Sequence, residues 1–412
     1  MTALMLWACE EETQYVRQDQ LAIKRFMIKA QTDPHLLPDG SIVTLVADNS
    51  NDTSAMTPMS QSYRLVKLST DGTITQSPTI NYRFGNGNRM DARGEVLSFD
   101  DDNDLFDIDI TNSGEVFFQY TTKDNKFAVS KFETGIYIDT TLSSFVDGKF
   151  LGGTPLDDGT YAVIHGTDPV MSILDANGEW VQHFSLPYLH CDNNETYKVV
   201  GICGNIMIIR TNIDLDHEFY VYSPTGELLN YGSLDLLFDR LINITDPETN
   251  KATHCYAITN GIEETTDDGT SIESCQLTRL DTKGSITYET ICSQYEDICN
   301  IIEQDGKIIL SGYYVPQSYE SLNINEYMMA AASIKGKITI LDAETGENPE
   351  SHLISLEGGV MPYAAVPDNH GGYDIFLSRI FSYDVGQMSA NVHYTESIFI
   401  YHTDDLNKLQ IE

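Results

Sequence analysis

Residues 36–47 read LLPDGSIVTLVA, a short polar turn followed by a run of apolar positions, and the same statement recurs along the chain. It returns as DITNSGEVFFQY (109–120), PLDDGTYAVIHG (155–166), GICGNIMIIR (201–210), IEQDGKIILSGYY (302–314) and AVPDNHGGYDIFLS (365–378), with a weaker version, CYAITNGIEE, at 255–264. Each reads as a strand, a tight turn and a second strand apolar enough to be covered on both faces. A second unit alternates with the first: YRLVKLSTDGTITQSP, FAVSKFETGIYIDTT, MSILDANGEWVQHF, FYVYSPTGELLNYG, CQLTRLDTKGSITYET and KITILDAETGENPESHL, with a degenerate IFIYHTDDLNKLQI at the end. Its strands alternate apolar and polar positions, as in RLVKLS, so one face of each is wetter.

The turn glycines of the second unit, Gly72, Gly135, Gly178, Gly226, Gly284 and Gly346, stand 43 to 63 residues apart. Asp-Gly and Asn-Gly between apolar strands signal hairpins, and primed turns with positive φ are the expected geometry. Two hairpins per period make four antiparallel strands per unit, the sequence signature of a β-propeller. The predicted fold is all-β, a seven-bladed β-propeller of four-stranded antiparallel blades, with six or eight blades as the alternative. Blades are expected near 31–80, 105–146, 150–187, 197–231, 252–292, 298–356 and 361–411, forming a single domain over 31–411. Residues 10–30 form a tail in which LAIKRFMIKA is a candidate closing strand. The best helix candidate is SLDLLFDRLIN (233–243).

Composition narrows the partners. Among 412 residues, Asp and Glu outnumber Lys and Arg by 62 to 24, a formal charge of −38. A field of that sign repels phosphate backbones and anionic head groups, so no nucleic-acid partner is expected. No stretch beyond the N-terminus approaches the ~18 apolar residues of a membrane span.

The first nine residues, MTALMLWAC, end in Leu6-Trp7-Ala8-Cys9. This resembles the lipobox of bacterial lipoproteins, which implies a signal remnant over 1–9 and lipidation of Cys9. Trp7 is bulky for its place and no basic n-region precedes it. Glu10, Glu11 and Glu12 follow, resembling the surface-export signal of some Gram-negative lipoproteins. The resemblance implies a chain of the cell envelope, an outer-membrane lipoprotein exposed at the surface and held to the membrane only by its lipid. Six further cysteines, Cys191, Cys203, Cys255, Cys275, Cys292 and Cys299, would then meet disulfide-permissive conditions. Six allow 15 pairings, with Cys255–Cys275 and Cys292–Cys299 the local candidates.

Leu341-Asp342-Ala343-Glu344-Thr345-Gly346 and Leu174-Asp175-Ala176-Asn177-Gly178-Glu179-Trp180 resemble the repeat turns of quinoprotein-like propellers. Their docking tryptophan recurs in most blades, whereas only Trp180 lies beyond the N-terminal segment here. The resemblance therefore implies the fold and not the quinone, and no cofactor is expected.

Antiparallel connectivity puts the first-to-second and third-to-fourth strand turns of every blade on one face of the disc. The long segments 48–62, 81–104, 188–197, 232–251, 315–327 and 380–396 fall on the second face, where function tends to concentrate on a rigid scaffold. NYRFGNGNRMDARGE (81–95) places Arg83, Arg89 and Arg93 there, guanidinium forks suited to carboxylates or acidic sugars. LPYLHCDNNE (186–195) adds Tyr188, His190 and Asp192 for stacking and hydrogen bonding. SFDDDNDLFDID (98–109) offers Asp100, Asp102 and Asp104 as a candidate calcium loop. It departs from the EF-hand pattern, with Leu105 at the sixth place and Thr111 at the twelfth, and reads as a solvated acidic loop. No nucleophile elbow, zinc helix or phosphate loop is present. The expected function is a carbohydrate- or protein-binding module without catalysis, its partner a glycan or an envelope protein. The alternatives are a glycan-active hydrolase or lyase with Asp or Glu carboxylates at the channel mouth, and a structural subunit of an envelope complex.

Overall fold

The computed structural model describes residues 11–12, 23–26, 33–47, 61–82, 106–122, 126–141, 150–175, 177–191, 195–212, 214, 216–235, 237–246, 248–265, 271–315, 334–354, 359–368, 370–382 and 392–406. Its strands form seven antiparallel sheets, all but the last built from strands successive in the chain, and among the described residues there is no α-helix. The sheets are the blades of a seven-bladed propeller. Their inner strands are His35–Leu36, Phe106–Ile110, Phe150–Pro155, Thr196–Ile202, Arg240–Asp246, Asp297–Gln304 and Gly359–Pro367.

Burial explains the two strand types. The second strand of each blade is covered by both neighbouring blades; Tyr161–His165 is buried at every position. The fourth strand lies at the rim, and Trp180–Ser185 is exposed at every position but Phe184. Seven apolar clusters fill the seven gaps between blades. The cluster between the first and last joins Ile42, Val66 and Leu68 to Phe376, Ile398 and Ile400. The others lie between successive blades.

Strand pairing also closes the ring. The last blade takes its fourth strand from the N-terminal segment: Ile23–Phe26 pairs antiparallel with Val392–Thr403, Ile23 opposite Tyr401 and Phe26 opposite Ile398. Glu11–Glu12 pairs with the far edge of Ile23–Phe26. The chain's two ends thus share one sheet, which leaves the ring no open inner seam.

The repeated turn has a specific geometry. In seven hairpins, at 37–41, 69–73, 111–115, 156–160, 175–179, 223–227 and 281–285, the first residue's N–H donates to the fifth residue's carbonyl. The fourth residue, always Gly, donates back to the first. This is a type I turn closed by a left-handed residue, so positive φ is needed once rather than twice. Asp175 completes it, its Oδ1 accepting from Asn177 N at 2.8 Å and Glu179 N at 3.0 Å; Asp281 does the same for Lys283 and Ser285. The primed turns expected from the sequence occur at Cys203-Gly204 and Asp305-Gly306, where both residues have positive φ. At Gly226 a Cβ would stand 2.7 Å from the Cβ of Phe184 in the preceding blade, so this turn also fixes how closely blades approach.

Three differences from the sequence reading concern blade limits. SLDLLFDRLIN is no helix: its ends belong to the strands Leu228–Leu234 and Arg240–Asp246. CYAITNGIEE is no hairpin but part of one strand, Lys251–Thr265, bulged between Thr259 and Ile262, with Gly261 in the bulge. IFIYHTDDLNKLQI contributes a third strand to the last blade, with the N-terminal segment rather than its own continuation beside it.

Asparagines stitch the inner strands together. Asn300, 4% exposed, donates through Nδ2 to Pro34 O at 3.0 Å and Tyr363 O at 2.8 Å, and accepts from Leu36 N at 3.2 Å. One side chain in the sixth blade thereby holds the seventh and the first. Asn300→Ala leaves three backbone groups at the closure without partners, where each buried orphan costs about 1–3 kcal/mol. The expected loss is on the order of 3 kcal/mol with the m-value changed little, measured by urea denaturation.

Candidate functional site

The seven inner strands surround a central channel of about 640 Å³, to which every blade contributes. That volume lies within the ~300–1,000 Å³ of small-ligand sites. Each inner strand leaves its long connection on the second face and ends in a tight turn on the first. Polar residues on these strands therefore line the axis at depths their position in the strand sets.

The two basic side chains lie near the leading ends of their strands. Lys198 Nζ donates to the carbonyls of Phe238 and Asp239 in the next blade, each at 3.0 Å. Arg240 donates to Cys299 O and, through Nη2, to Asp33 Oδ2 at 3.1 Å. His35 is held to a neutral imidazole, its pKa lowered to about 3 by burial and then by Arg240.

Asp107 and Asp109 occupy alternate positions of Phe106–Ile110, so their carboxyls share one side of the strand. Ile108 between them enters the apolar layer between the first two blades. The sequence reading placed both in a solvated acidic loop. Instead, they form part of the channel wall. Burial raises the pKa of Asp107, while Lys198, the Ile108 amide and Arg240 oppose it. Asp109 is raised further, by burial and then by the charge of Asp107. Its Oδ2 is enclosed and has no hydrogen-bond partner among the described residues. Tyr161, fully buried beside it, donates its hydroxyl proton to Gln119 Oε1 at 2.9 Å.

The remaining acids of the wall are engaged. Glu303 Oε2 lies 2.7 Å from His254 Nε2 and accepts from Tyr256 OH at 2.7 Å. Burial would raise Glu303, yet these two bonds outweigh it and lower its pKa. Asp157 accepts from Asn112 N at 3.2 Å and Nδ2 at 2.7 Å, tying the third blade to the second. Asn243 binds Cys203 N and Gly201 O, tying the fifth to the fourth. Among the described residues, no group of three or more His, Cys, Asp or Glu could hold a metal ion.

Of the site residues read from the sequence, Tyr188 and His190 are among the described residues. Tyr188 and His190 lie on the connection between the third and fourth blades, solvent-exposed and not in the channel wall. Tyr188 has φ 72°, and His190 Nδ1 stands 3.9 Å from Asp168 Oδ1. Leu186, Leu189 and Cys191 of the same connection are buried and pin it down. Cys9, Arg83, Arg89, Arg93, Asp100, Asp102, Asp104 and Asp192 lie outside the described residues. The channel residues Lys198, Arg240, Asp107 and Asp109 carried one signal in the sequence, a charge interrupting an apolar strand, as in FDIDI and TYKVVGI.

No family model and no curated protein matches the chain. Among solved structures, it is similar to a virginiamycin B lyase from Staphylococcus aureus at 13% identity, over 93% of this chain and 100% of that one, with a TM-score of 0.41. Sqt1 of Saccharomyces cerevisiae is 10% identical over 91% and 96%, with a TM-score of 0.39. A protein of unknown function from Bacteroides caccae is 12% identical over 70% and 89%, with a TM-score of 0.34. These values do not bear on chemistry, and the architecture rests on the strand pairing.

At the second-face end, Asp297 hydrogen-bonds Asn260 Nδ2, yet burial raises its pKa to about 6 against Arg240's opposing charge. The native state then keeps a proton that the unfolded chain releases near 3.8. Stability from this group is present below the unfolded pKa and falls as pH rises through about 6. Asp297→Asn is expected to flatten that decline, on the order of 2 kcal/mol across the window, in urea unfolding between pH 4 and about 7.

Proposed function

We propose that the chain is a binding module of the bacterial cell envelope, tethered to the outer membrane through a lipid on Cys9, which takes a carbohydrate at the central channel without catalysing its change. The channel carries this reading. A cavity of about 640 Å³ with carboxyls, basic groups and carboxamides around an axis suits a ligand rich in hydroxyl groups. Asp107 supplies an acceptor, since among the described residues only the Ile108 amide donates to it, through Oδ1, at 2.8 Å. Arg83, Arg89, Arg93, Tyr188, His190 and Asp192 are proposed as the rim on the second face, with Asp100, Asp102 and Asp104 as a calcium-dependent element of it.

An envelope protein as partner has its own support. Trp180 and Val181 on the rim of the third blade, and Ile286 and Ile291 on that of the fifth, are large apolar side chains exposed at 37%, 52%, 49% and 43%. The charge of −38 makes nucleic acid the wrong partner on either reading.

A glycan array with the purified chain, with and without calcium, tests the carbohydrate. A specific hit is expected, weakened about tenfold by Asp107→Asn, the loss of one charge-assisted hydrogen bond, with thermal unfolding changed little. A hit indifferent to Asp107→Asn places the site away from the channel, and a blank array moves the reading to the protein partner. A shortened glycan after incubation would make the chain an enzyme. The anchor has a separate test. The full chain is expected to partition into detergent, and Cys9→Ala to remain in the aqueous phase.

A further inference from the structure

No disulfide joins the six cysteines of the described residues, Cys191, Cys203, Cys255, Cys275, Cys292 and Cys299. Strand register decides which of them can meet. In the fifth blade, the third strand Ser271–Leu280 and the fourth strand Ile286–Ser293 place Cys275 directly opposite Cys292. Residues so paired in an antiparallel ladder have Cα atoms about 4.5–5.5 Å apart and side chains on the same face. A disulfide needs a Cα separation of about 4.4–6.8 Å. Both thiols enter the same apolar layer between the fifth and sixth blades, at 0% and 6% exposure.

The pairs suggested by sequence proximity fare worse. Cys255 faces Leu280, while Thr259 faces Gln276, so Cys255 is about five residues along its strand from the point opposite Cys275. At ~3.3 Å per residue that is ~16 Å, far beyond a disulfide's reach. Cys292 and Cys299 lie in different apolar layers, Cys299 in the one that closes the ring.

We propose that Cys275 and Cys292 are a disulfide site, oxidised by a disulfide-bearing partner such as a thiol–disulfide oxidoreductase or a low-molecular-weight disulfide. Cys292 lies on the rim strand and is the thiol an oxidant reaches first. Its thiolate attacks one sulfur of the oxidant, forming a mixed disulfide and expelling a thiolate. The Cys275 thiolate then attacks the Cys292 sulfur and expels the second thiolate. Two cysteine thiols lose two protons and two electrons, and the oxidant's disulfide becomes two thiols.

The folded, reduced protein resists this step. Burial, then Asp297 and Cys292 itself, push the Cys275 thiol far above its ordinary pKa, so little thiolate is available once the blade has formed. The bond is therefore made as the fifth blade folds, before its outer strand is seated. Once made, it closes an 18-residue ring around the Asp281 turn and staples the rim strand to its neighbour. Lys337 of the sixth blade already grips that strand, donating from Nζ to Ser293 O at 2.7 Å. The inference is independent of the channel reading, because it concerns the scaffold and not the axis.

The test uses the full chain, unfolded under reducing conditions and refolded in a mixture of reduced and oxidised glutathione. Free thiols are then alkylated, and the digest is mapped by mass spectrometry without reduction. The expected result is a linked pair of peptides carrying Cys275 and Cys292, lighter than their sum by two hydrogens and separated by dithiothreitol. In Cys275→Ser, Cys292 is expected to become alkylatable, and the reverse in Cys292→Ser. Alkylation of both residues in the refolded wild-type protein, or a bond mapped to any other pair such as Cys203–Cys255, overturns the proposal. The wild-type map decides the matter even where a serine variant does not fold.

Discussion

The constraint on which this molecule depends is that a row of seven sheets must meet its own beginning. An open row would expose one apolar face at each end and leave the axis unbounded. Three devices act at the junction. Ile23–Phe26 hydrogen-bonds to the last blade, an apolar layer runs from Ile42 to Phe376, and the Asn300 carboxamide reaches the backbone of both flanking inner strands. The first is a sheet ladder, and the second is area removed from water. Asn300 differs because two of its three bonds, to Pro34 and Leu36, span more than 260 residues of sequence and are satisfied only when the ring is shut. It senses closure where the ladder and the apolar layer merely favour it.

Closure is also what makes the channel. Inner strands placed around an axis bring together residues that have no relation in sequence, and they do so in a medium where charges are poorly solvated. Asp107 and Asp109 would titrate ordinarily in a loop; in the wall, burial raises both, and Asp107 raises Asp109 further. Glu303 shows the opposite balance in the same wall, because His254 and Tyr256 supply hydrogen bonds that burial cannot outweigh. The channel therefore carries carboxyls of two kinds, set by neighbours that belong to other strands and other blades.

Those neighbours mark the limit of what the sequence made legible. The turn motif was legible because Asp175 and Asp281 act on amides only two and four residues away, and the following Gly is demanded by its own φ. Counting such turns led to seven blades. The inner strand of the fifth blade was missed because LINITD follows an apolar run, SLDLLF, that shares a helical spacing. Tertiary covering, not local pattern, makes it a strand. The long loops were singled out for their composition, and much of that composition lies outside the described residues. Lys198 and Arg240 went unnoticed since a single charge in an apolar strand has no local partner to announce it; their partners are 40 and 59 residues away.

Those two cations also explain how a chain so acidic can present a defined axis. Each is held by backbone carbonyls of the next blade: Lys198 by Phe238 and Asp239, Arg240 by Cys299. Carbonyls fix the direction of a cation without cancelling its charge, whereas at Arg240 the Asp33 carboxylate adds an ion pair. An ammonium has three donor protons and a guanidinium five, so each retains donors beyond the two bonds described for it. Asp107, in the same wall, accepts from the Ile108 amide through Oδ1 and has acceptor capacity left over. A ligand on the axis would meet donors and acceptors whose positions were set when the ring closed, without the cost of ordering them. The same two cations that tie neighbouring blades together would thus offer a ligand the donors those ties leave unused.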